Sequence, residues 1–168
     1  MSSDPALVAR RYFDAISRRD LDAAEAAWLP GGIDHLIPVG ELEVPTAWRP
    51  YFERLFAAFP DFTYEVLDTL SDGARAVVKW RASGHFTGAP FEGIRATGVQ
   101  AEITGLDLVD VDGDRVARIE SYWDDASITR QLGLLPARGS RQERLLVSLF
   151  NLRSRLRLRR RANQELHG

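Results

Sequence analysis

Asp107 is a charged residue within an otherwise apolar row of a predicted strand. Residues 97–111 alternate between apolar and polar side chains, and Asp107 falls on the apolar side with Val99, Ala101, Ile103, Gly105, Val109 and Val111. A carboxylate in such a place must be neutralised, paired or functional. Burial would raise its pKa and let the neutral acid donate a hydrogen bond to a developing oxyanion. The structural alternative is a pairing with arginine or a backbone amide, or a bulge that turns the side chain outward.

Two other side chains with suitable chemistry are predicted to face the same interior. His35 alternates with Ile33 and Ile37, which places it on the apolar side of a short strand. Its imidazole, with an unperturbed pKa of about 6.5, could act as a general base near neutral pH. Tyr12 lies on the apolar face of the first helix and could donate its phenolic proton. The alternatives are a core histidine with its hydrogen bonds satisfied and a core tyrosine with its hydroxyl at the edge.

Asp124 lies where a predicted strand passes directly into a short helix. The strand ends on the sequence Tyr-Trp-Asp-Asp at 122–125, and the helix stops at Gly133. Strand alternation puts Trp123 with the apolar residues and directs Asp124 away from them. Asp124 is therefore either an acid–base residue at the rim of a pocket or the N-cap of the helix.

The remaining elements predict an α+β fold. Helices are expected at about 5–16, 20–29 and 45–59, and strands at 33–39, 63–70, 74–87, 97–111 and up to residue 123. This order predicts a cone: a curved antiparallel sheet closed by the N-terminal helices, a cystatin-like α+β roll. The aromatic residues expected to line its apolar interior and bind substrate are Trp28, Phe56, Phe59, Trp80, Phe86 and Trp123.

Composition limits the chemistry and divides the chain. The 168 residues contain no cysteine, and their three histidines (His35, His85 and His167) lack metal-binding spacing, so we expect no dedicated zinc site. No leader or membrane-spanning stretch is recognisable, which favours a cytoplasmic protein. Residues 1–136 carry a formal charge of −9 and residues 137–168 one of +7, which predicts a globular domain followed by a basic tail.

The tail has the composition of an amphipathic basic helix. Four leucines keep helical spacing, at Leu145, Leu149, Leu152 and Leu156, and arginines cover the remainder, among them Arg153 and Arg159–Arg161. Such a helix could pack on a neighbouring subunit or on its own sheet, lie on an anionic membrane, or bind phosphates of nucleic acid. No aromatic stacking platform or base-reading motif supports sequence-specific binding of nucleic acid.

Several short motifs between about residues 5 and 136 resemble the SnoaL-like polyketide cyclases. They are Tyr12, the run Ala-Ala-Phe-Pro-Asp-Phe at 57–62, Gly-His-Phe-Thr-Gly at 84–88, and Tyr122-Trp123-Asp124 followed by Gln131-Leu132-Gly133. These cyclases belong to the nuclear transport factor two-like superfamily, which also contains ketosteroid isomerases and limonene epoxide hydrolase. The resemblance implies an acid–base role for Asp124 in an intramolecular aldol ring closure, without metal or cofactor.

The resemblance to ketosteroid isomerases adds roles for two more residues. Tyr12 and Asp107 occupy the approximate places of the tyrosine and the aspartic acid that hydrogen-bond an enolate in those enzymes. Their general-base aspartate falls near His35 here, a departure that argues against steroid isomerisation.

The function predicted from these observations is acid–base chemistry on a small apolar or aromatic carbonyl compound, by a homodimer. The alternative is a non-catalytic binding or protein-interaction module with the same cone. Epoxide hydrolysis is disfavoured because strand alternation puts Arg81 and Arg118 on the polar side.

Overall fold

The computed structural model describes residues 4–165, and residues 156 and 158–165 by their backbone alone. In chain order the elements are α1 (Pro5–Ser17), α2 (Leu21–Ala26), β1 (Trp28–Leu36), β2 (Gly40–Glu43), α3 (Trp48–Ala58), β3 (Thr63–Asp72), β4 (Arg75–His85), β5 (Gln100–Asp112), β6 (Arg115–Trp123), α4 (Asp125–Gln131) and α5 (Arg141–Glu165). The predictions for Leu156 and Arg159–Arg161 lie outside the described side chains, and His167 lies outside the described residues.

The six strands form one sheet in the order β2-β1-β6-β5-β4-β3. Strands β3 to β6 make the predicted antiparallel meander, and the α+β fold is confirmed. Strand β1 returns to pair in parallel with β6 and antiparallel with β2, an arrangement that the sequence did not predict. As a result β6 is a central strand with β1 on one side and β5 on the other.

Strand β1 begins earlier than predicted and contains an irregularity. The expected helix to residue 29 ends at Ala26, and Trp28 already belongs to the strand. The register with β6 shifts between Trp28 and Ile33, across the segment Pro30-Gly31-Gly32. Glycine is required at 32, because a Cβ there would lie 2.6 Å from the ring of Trp28. Because the register with β6 shifts at this irregularity, the pairing of Trp28 does not determine which of the later residues of β1 point inward.

The helix α1 covers the concave face of the sheet. Tyr12 is buried there, as predicted, and Val8, Ala15 and Ile16 are buried with it. They share one apolar cluster with residues of β4, β5 and β6. In β4 the even-numbered positions from Ala76 to Gly84 are buried and Arg75, Lys79, Arg81 and His85 are exposed, which confirms the polar side predicted for Arg81. The interior therefore lies between α1, α3 and the inner face of the sheet.

The short helix α4 is fixed to the sheet by Gln131. Its side-chain amide donates to the carbonyl of Glu102 (2.8 Å) and accepts from the Glu102 N–H (2.8 Å). These two bonds occupy both polar backbone groups of one residue in β5, as a neighbouring strand would. These two bonds hold α4 on the sheet together with Ile128 and Leu132, which pack against the apolar cluster that contains Phe59 and Phe86.

The contacts divide the chain into two units, Met1–Leu132 and Gly133–Gly168. In the second unit, α5 begins with a capping arrangement. Ser140 Oγ accepts from the N–H of Glu143 (3.1 Å), and the Glu143 carboxylate accepts from the N–H of Gly139 (2.5 Å). Among residues 4–165, no helix is both long and apolar enough to cross a membrane.

Replacing Gln131 by alanine should loosen α4. The Gln131→Ala variant loses two hydrogen bonds to the backbone of Glu102, which predicts a loss of about 1–2 kcal/mol in the free energy of unfolding. Urea unfolding measures this loss, and hydrogen exchange should show faster exchange of the Glu102 and α4 amides. The control is Gln142→Ala at an exposed position of α5. Equal unfolding midpoints for the two variants would contradict the assignment.

Candidate active site

Asp107 lies on the inner face of β5 and is 4 % exposed, as its place in the apolar row predicted. Its partners across the ladders are Val78 of β4 and Ser121 of β6. The indole N–H of Trp80 donates to Asp107 Oδ1 at 2.7 Å. Burial raises the pKa of the Asp107 carboxyl to about 7, while the hydrogen bond from Trp80 and the nearby polar groups of Ser121 and Tyr64 act in the opposite direction. A neutral indole donor therefore stands where the structural alternative placed an arginine.

The bond between Trp80 and Asp107 depends on a glycine. Gly105 is the ladder partner of Trp80, and a Cβ at residue 105 would lie 2.3 Å from the indole ring. The absence of a side chain at Gly105 lets the indole lie against β5 and reach Asp107, two residues along the strand. Tyr64 stacks on the other side of the indole, with ring centroids 5.2 Å apart.

A second buried carboxyl group lies on β1. Asp34 is 2 % exposed, and its Oδ1 has no hydrogen-bond partner among the described residues. Only β6 separates β1 from β5, so the two strands are about 10 Å apart at a strand spacing of about 4.8 Å. The ladder partners of Asp34 and Asp107 on β6 are Ile119 and Ser121, which are two residues apart. Burial, and next the charge of Asp107, raise the pKa of Asp34 well above its ordinary value.

Tyr12 and Trp48 lie beside Asp34. The indole N–H of Trp48 donates to the Tyr12 hydroxyl at 3.2 Å. Because this oxygen accepts, its own proton remains available to a second acceptor. Burial, and next the charge of Asp34, raise the pKa of Tyr12 well above its ordinary value, so the phenol stays protonated. Tyr12 was predicted to face the interior, and the structure places it there.

The orientation predicted for His35 is wrong. After the irregularity of β1 the buried positions are Gly32, Asp34 and Leu36, and His35 points to the opposite face. There its Nδ1 lies 3.3 Å from a guanidinium nitrogen of Arg118. The prediction failed because Ile33 and Ile37 were taken to mark the inner side, whereas Ile37 is exposed. Asp34, one residue earlier, takes the inward place.

Asp124 is the N-cap of α4. Its carboxylate accepts from the N–H of Ser127 at 3.0 Å, and the residue is exposed. The sequence left two roles open for Asp124, an acid–base residue or a helix N-cap, and the structure shows the N-cap contact. The structure does not bring Asp124 to the interior pair, and its role in acid–base chemistry stays a prediction.

The predicted lining residues fall into two groups. Trp28 packs edge-on against Tyr12 at 5.4 Å, and Trp80 packs against Trp123 at 6.3 Å, so these three tryptophans lie near the carboxyl groups. Phe59 and Phe86 stack on each other at 5.0 Å in a second apolar cluster. Phe56 contacts Phe62, which packs on that second cluster. A role in substrate binding remains untested for all six.

Sequence reasoning missed four residues of the site: Asp34, Trp48, Tyr64 and Ser121. Asp34 could have been recognised only by taking Gly32 and Leu36, and not Ile33 and Ile37, to mark the inner side of β1. Tyr64 begins the inner row of β3, which its position between the polar residues Thr63 and Glu65 could have indicated. Trp48 lies in the predicted helix 45–59, and nothing in the sequence shows that its indole N–H has a buried partner.

Replacing Asp107 by asparagine should flatten the dependence of stability on pH. Between about pH 4 and 7 the folded chain keeps a proton on Asp107 that the unfolded chain has lost. The raised pKa therefore lowers the free energy of unfolding as pH rises through this window, by up to about 1.4 kcal/mol per pH unit, and the loss ends above about pH 7.

In the Asp107→Asn variant, asparagine keeps the acceptor for Trp80 and cannot titrate. Relative to the wild type, Asp107→Asn should gain roughly 2–3 kcal/mol between pH 5 and 8 in urea unfolding. The exposed Asp14→Asn provides the control, and a constant difference between Asp107→Asn and wild type would contradict the burial argument.

Removing the indole N–H should raise the pKa of Asp107 further. Trp80→Phe keeps an aromatic ring and deletes the donor that stabilises the ionised carboxyl, so the pH at which the stability loss levels off should move upward. Gly105→Ala should do the same by displacing the indole. Trp123→Phe, which changes a neighbouring tryptophan with no bond to Asp107, should leave that pH unchanged. A shift equal in Trp80→Phe and Trp123→Phe would show that the hydrogen bond is not responsible.

Comparison with solved structures shows the same fold in several bacterial proteins. AclR from Streptomyces galilaeus, provisionally described as a hydroxylase, superposes with a TM-score of 0.69 at 19 % identity, over 79 % of this chain and 87 % of AclR. IdmH from Streptomyces antibioticus, provisionally described as a polyketide cyclase, gives a TM-score of 0.67 at 23 % identity, over 78 % of this chain and 99 % of IdmH. A Catenulispora acidiphila protein with a ketosteroid isomerase-like fold gives 0.63 at 16 % identity, over 79 % of this chain and 96 % of that protein. At these identities the likeness concerns the fold alone.

A search among curated proteins finds no match. The comparison with protein families is decisive for classification, because the family described as SnoaL-like polyketide cyclase matches residues 6–132, from the first turn of α1 to the end of α4. The chain therefore belongs to the SnoaL-like polyketide cyclase family.

Proposed function

We propose that the chain catalyses acid–base chemistry on a small carbonyl compound with an enolisable position, as a polyketide cyclase or an isomerase-like enzyme. The observation that carries the proposal is the pair of buried carboxyl groups, Asp34 and Asp107, on one inner face. Two such groups with raised pKa values can hold a proton in one place and accept one in another near neutral pH. Membership of the SnoaL-like family agrees with a role of this class.

The surroundings of the pair suggest which carboxyl acts as base. Asp107 accepts a 2.7 Å bond from Trp80, which favours its ionised form, and its pKa of about 7 leaves a large ionised fraction at neutral pH. Asp34 Oδ1 has no hydrogen-bond partner among the described residues, and burial and the charge of Asp107 raise the pKa of Asp34 well above its ordinary value, so in the proposal Asp34 keeps its proton when Asp107 is ionised. Asp107 is the proposed base, and Asp34 the proposed acid. The resemblance to ketosteroid isomerases implied that Asp107 is protonated and donates a hydrogen bond to the enolate. The proposal gives that role to Asp34 and makes Asp107 the ionised base.

The proposed reaction begins with enolisation. Asp107 removes a proton from the carbon beside the carbonyl, the electron pair of that C–H bond forms a C=C bond to the carbonyl carbon, and the π pair of the carbonyl group moves to its oxygen. Tyr12 and protonated Asp34 donate hydrogen bonds to the enolate, a contribution of several kcal/mol in comparable sites. In a ring closure, the enolate carbon then bonds to a second carbonyl carbon of the same molecule, and the alkoxide formed there takes the proton of Asp34. Transfer of the proton from Asp107 to Asp34, directly or through solvent, restores the starting state.

The inner face is less covered along part of β5, and the proposal places substrate entry there. On β5 the inward positions Ile103 and Gly105 are half-buried, whereas Ala101 and Asp107 on either side are buried. Trp123, the ladder partner of Gly105, is also half-buried. A flat apolar substrate could lie against Trp123 and Trp80 and present its reacting carbon to Asp107.

Exchange of carbon-bound protons tests this proposal without knowledge of the natural substrate. The probes are an aromatic 1,3-diketone and a steroid ketone in deuterium oxide, and proton NMR follows loss of the signal beside the carbonyl. We expect the wild-type chain to accelerate exchange above buffer and Asp107→Asn to reduce the acceleration by roughly 10²-fold or more. Asp34→Asn and Tyr12→Phe should reduce it less, because the first removes the acidic proton, the second removes a hydrogen-bond donor, and both leave the base in place.

Asp124→Asn and His35→Ala serve as the controls for the residues that the sequence singled out. Both should retain the wild-type rate if the interior pair does the chemistry. Loss of exchange in Asp124→Asn, with the rate intact in Asp107→Asn, would move the base to the N-terminus of α4 and contradict the proposal.

A second candidate function is non-catalytic ligand binding or protein interaction. Tyr12, Trp28 and Trp48 fill the space near Asp34 with aromatic contacts of 5.4–6.3 Å and are almost fully buried. A binding module would show saturable binding of the ketone probes with no acceleration of exchange. Self-association into a homodimer stays a prediction.

A further inference from the structure

Helix α5 carries a dense run of exposed apolar side chains. Six large apolar residues occur within eight positions, and each is 49–68 % exposed: Leu145, Leu146, Val147, Leu149, Phe150 and Leu152. At a rise of 1.5 Å per residue, the run is about 12 Å long. Isolated exposed leucines are ordinary, but a contiguous exposed patch of this kind marks a surface that contacts something else.

The apolar run occupies a wide part of the helix circumference. At 100° per residue the six side chains span an arc of about 220°, and Ser148 and Asn151 lie in the remaining sector. Two helices that pack together use a narrower stripe, of about two positions in seven. A second copy of the chain would therefore leave part of the run in water. Lipid acyl chains have no fixed shape, so they can contact all six apolar side chains across this wide arc of the helix.

Arginines flank the apolar run on both sides. Arg141 and Arg144 precede it, and Arg153, Arg155 and Arg157 follow it, all of them exposed. The sequence has no acidic residue from 144 to 164. Arginine side chains can extend along an apolar surface while their guanidinium groups stay at the level of lipid phosphates. Nucleic acid could use the arginines, but it would give no role to the six apolar side chains between them.

We propose that α5 is a docking element for the surface of an anionic lipid bilayer. The helix lies in the plane of the surface, with the run 145–152 in the boundary between headgroups and acyl chains and the flanking arginines on phosphates. The run is far shorter than the roughly 20 residues that a span requires, which agrees with a helix in the surface plane. The charge of +7 on residues 137–168 favours this contact, whereas the charge of −9 on residues 1–136 opposes contact by the rest of the chain.

Vesicle flotation with the full chain tests the proposal. The probes are vesicles of phosphatidylcholine alone and vesicles of equal parts phosphatidylcholine and phosphatidylglycerol, each at low and high salt. We expect binding to the anionic vesicles and a clear loss at high salt. The paired variant Leu149→Ser/Phe150→Ser should weaken binding by roughly tenfold or more, because it removes two apolar side chains from the immersed run. The triple variant Arg153→Gln/Arg155→Gln/Arg157→Gln should remove the preference for anionic vesicles.

Leu7→Ser is the matched control, since Leu7 is an equally exposed leucine of α1, outside the tail. Its binding should equal that of the wild type, and thermal unfolding of every variant checks that residues 6–132 stay folded. Absence of binding, equal binding to both vesicle types, or unchanged binding in the two tail variants would overturn the proposal. So would light scattering that shows a dimer lost in Leu149→Ser/Phe150→Ser together with no vesicle binding, a result that assigns α5 to a second copy.

Discussion

The electrostatic cost of burying two carboxyl groups in one aromatic interior governs the candidate site. Among the described residues no cation is paired with Asp34 or Asp107, so each can be charged only to the extent that neutral donors stabilise it. Asp107 has such a donor in Trp80, whereas Asp34 Oδ1 has none. In the proposed mechanism this difference, together with the charge of Asp107 acting on Asp34, makes Asp107 the proton acceptor and Asp34 the proton donor. Such an arrangement lowers the stability of the fold at neutral pH, a burden that a purely structural core would avoid by using apolar residues in both places.

The fold maintains this asymmetry through backbone features that are not themselves reactive. Gly105 provides the space in which the indole of Trp80 lies against β5. The register irregularity of β1 turns Asp34 inward and His35 outward. Because β1 returns in parallel beside β6, a residue near the start of the chain comes within two strands of Asp107. Sheet topology thus brings distant parts of the sequence together in the site. Helix α1, which covers the concave face of the sheet, adds Tyr12.

The sequence was informative where a regular pattern met one exceptional residue. Asp107 could be recognised because β4 and β5 alternate regularly, so one carboxylate in an apolar row was conspicuous. Asp34 escaped for the opposite reason: the segment Pro30-Gly31-Gly32 interrupts the alternation, and isoleucines on the outer face of β1 suggested the wrong inner side. The hydrogen bonds of Trp48 and Trp80 could not be predicted at all, since an indole in an apolar stripe has the same pattern whether or not its N–H has a buried partner. Family resemblance gave the fold and drew attention to Asp124, whose local role as a helix cap follows from its place before α4.

The measurement that tests this account most directly is a carbon-13 NMR titration of the side-chain carboxyl carbons of Asp34 and Asp107. The account predicts that Asp107 titrates near pH 7 and that Asp34 still holds its proton there, with two coupled steps far above the ordinary aspartate value of about 3.9. Assignment through Asp107→Asn and Asp34→Asn identifies each signal, and Asp107→Asn should lower the pKa of Asp34 because it removes the charge of Asp107. Titration of both groups near pH 4 would show that the interior is solvated and would contradict the proposed division into acid and base.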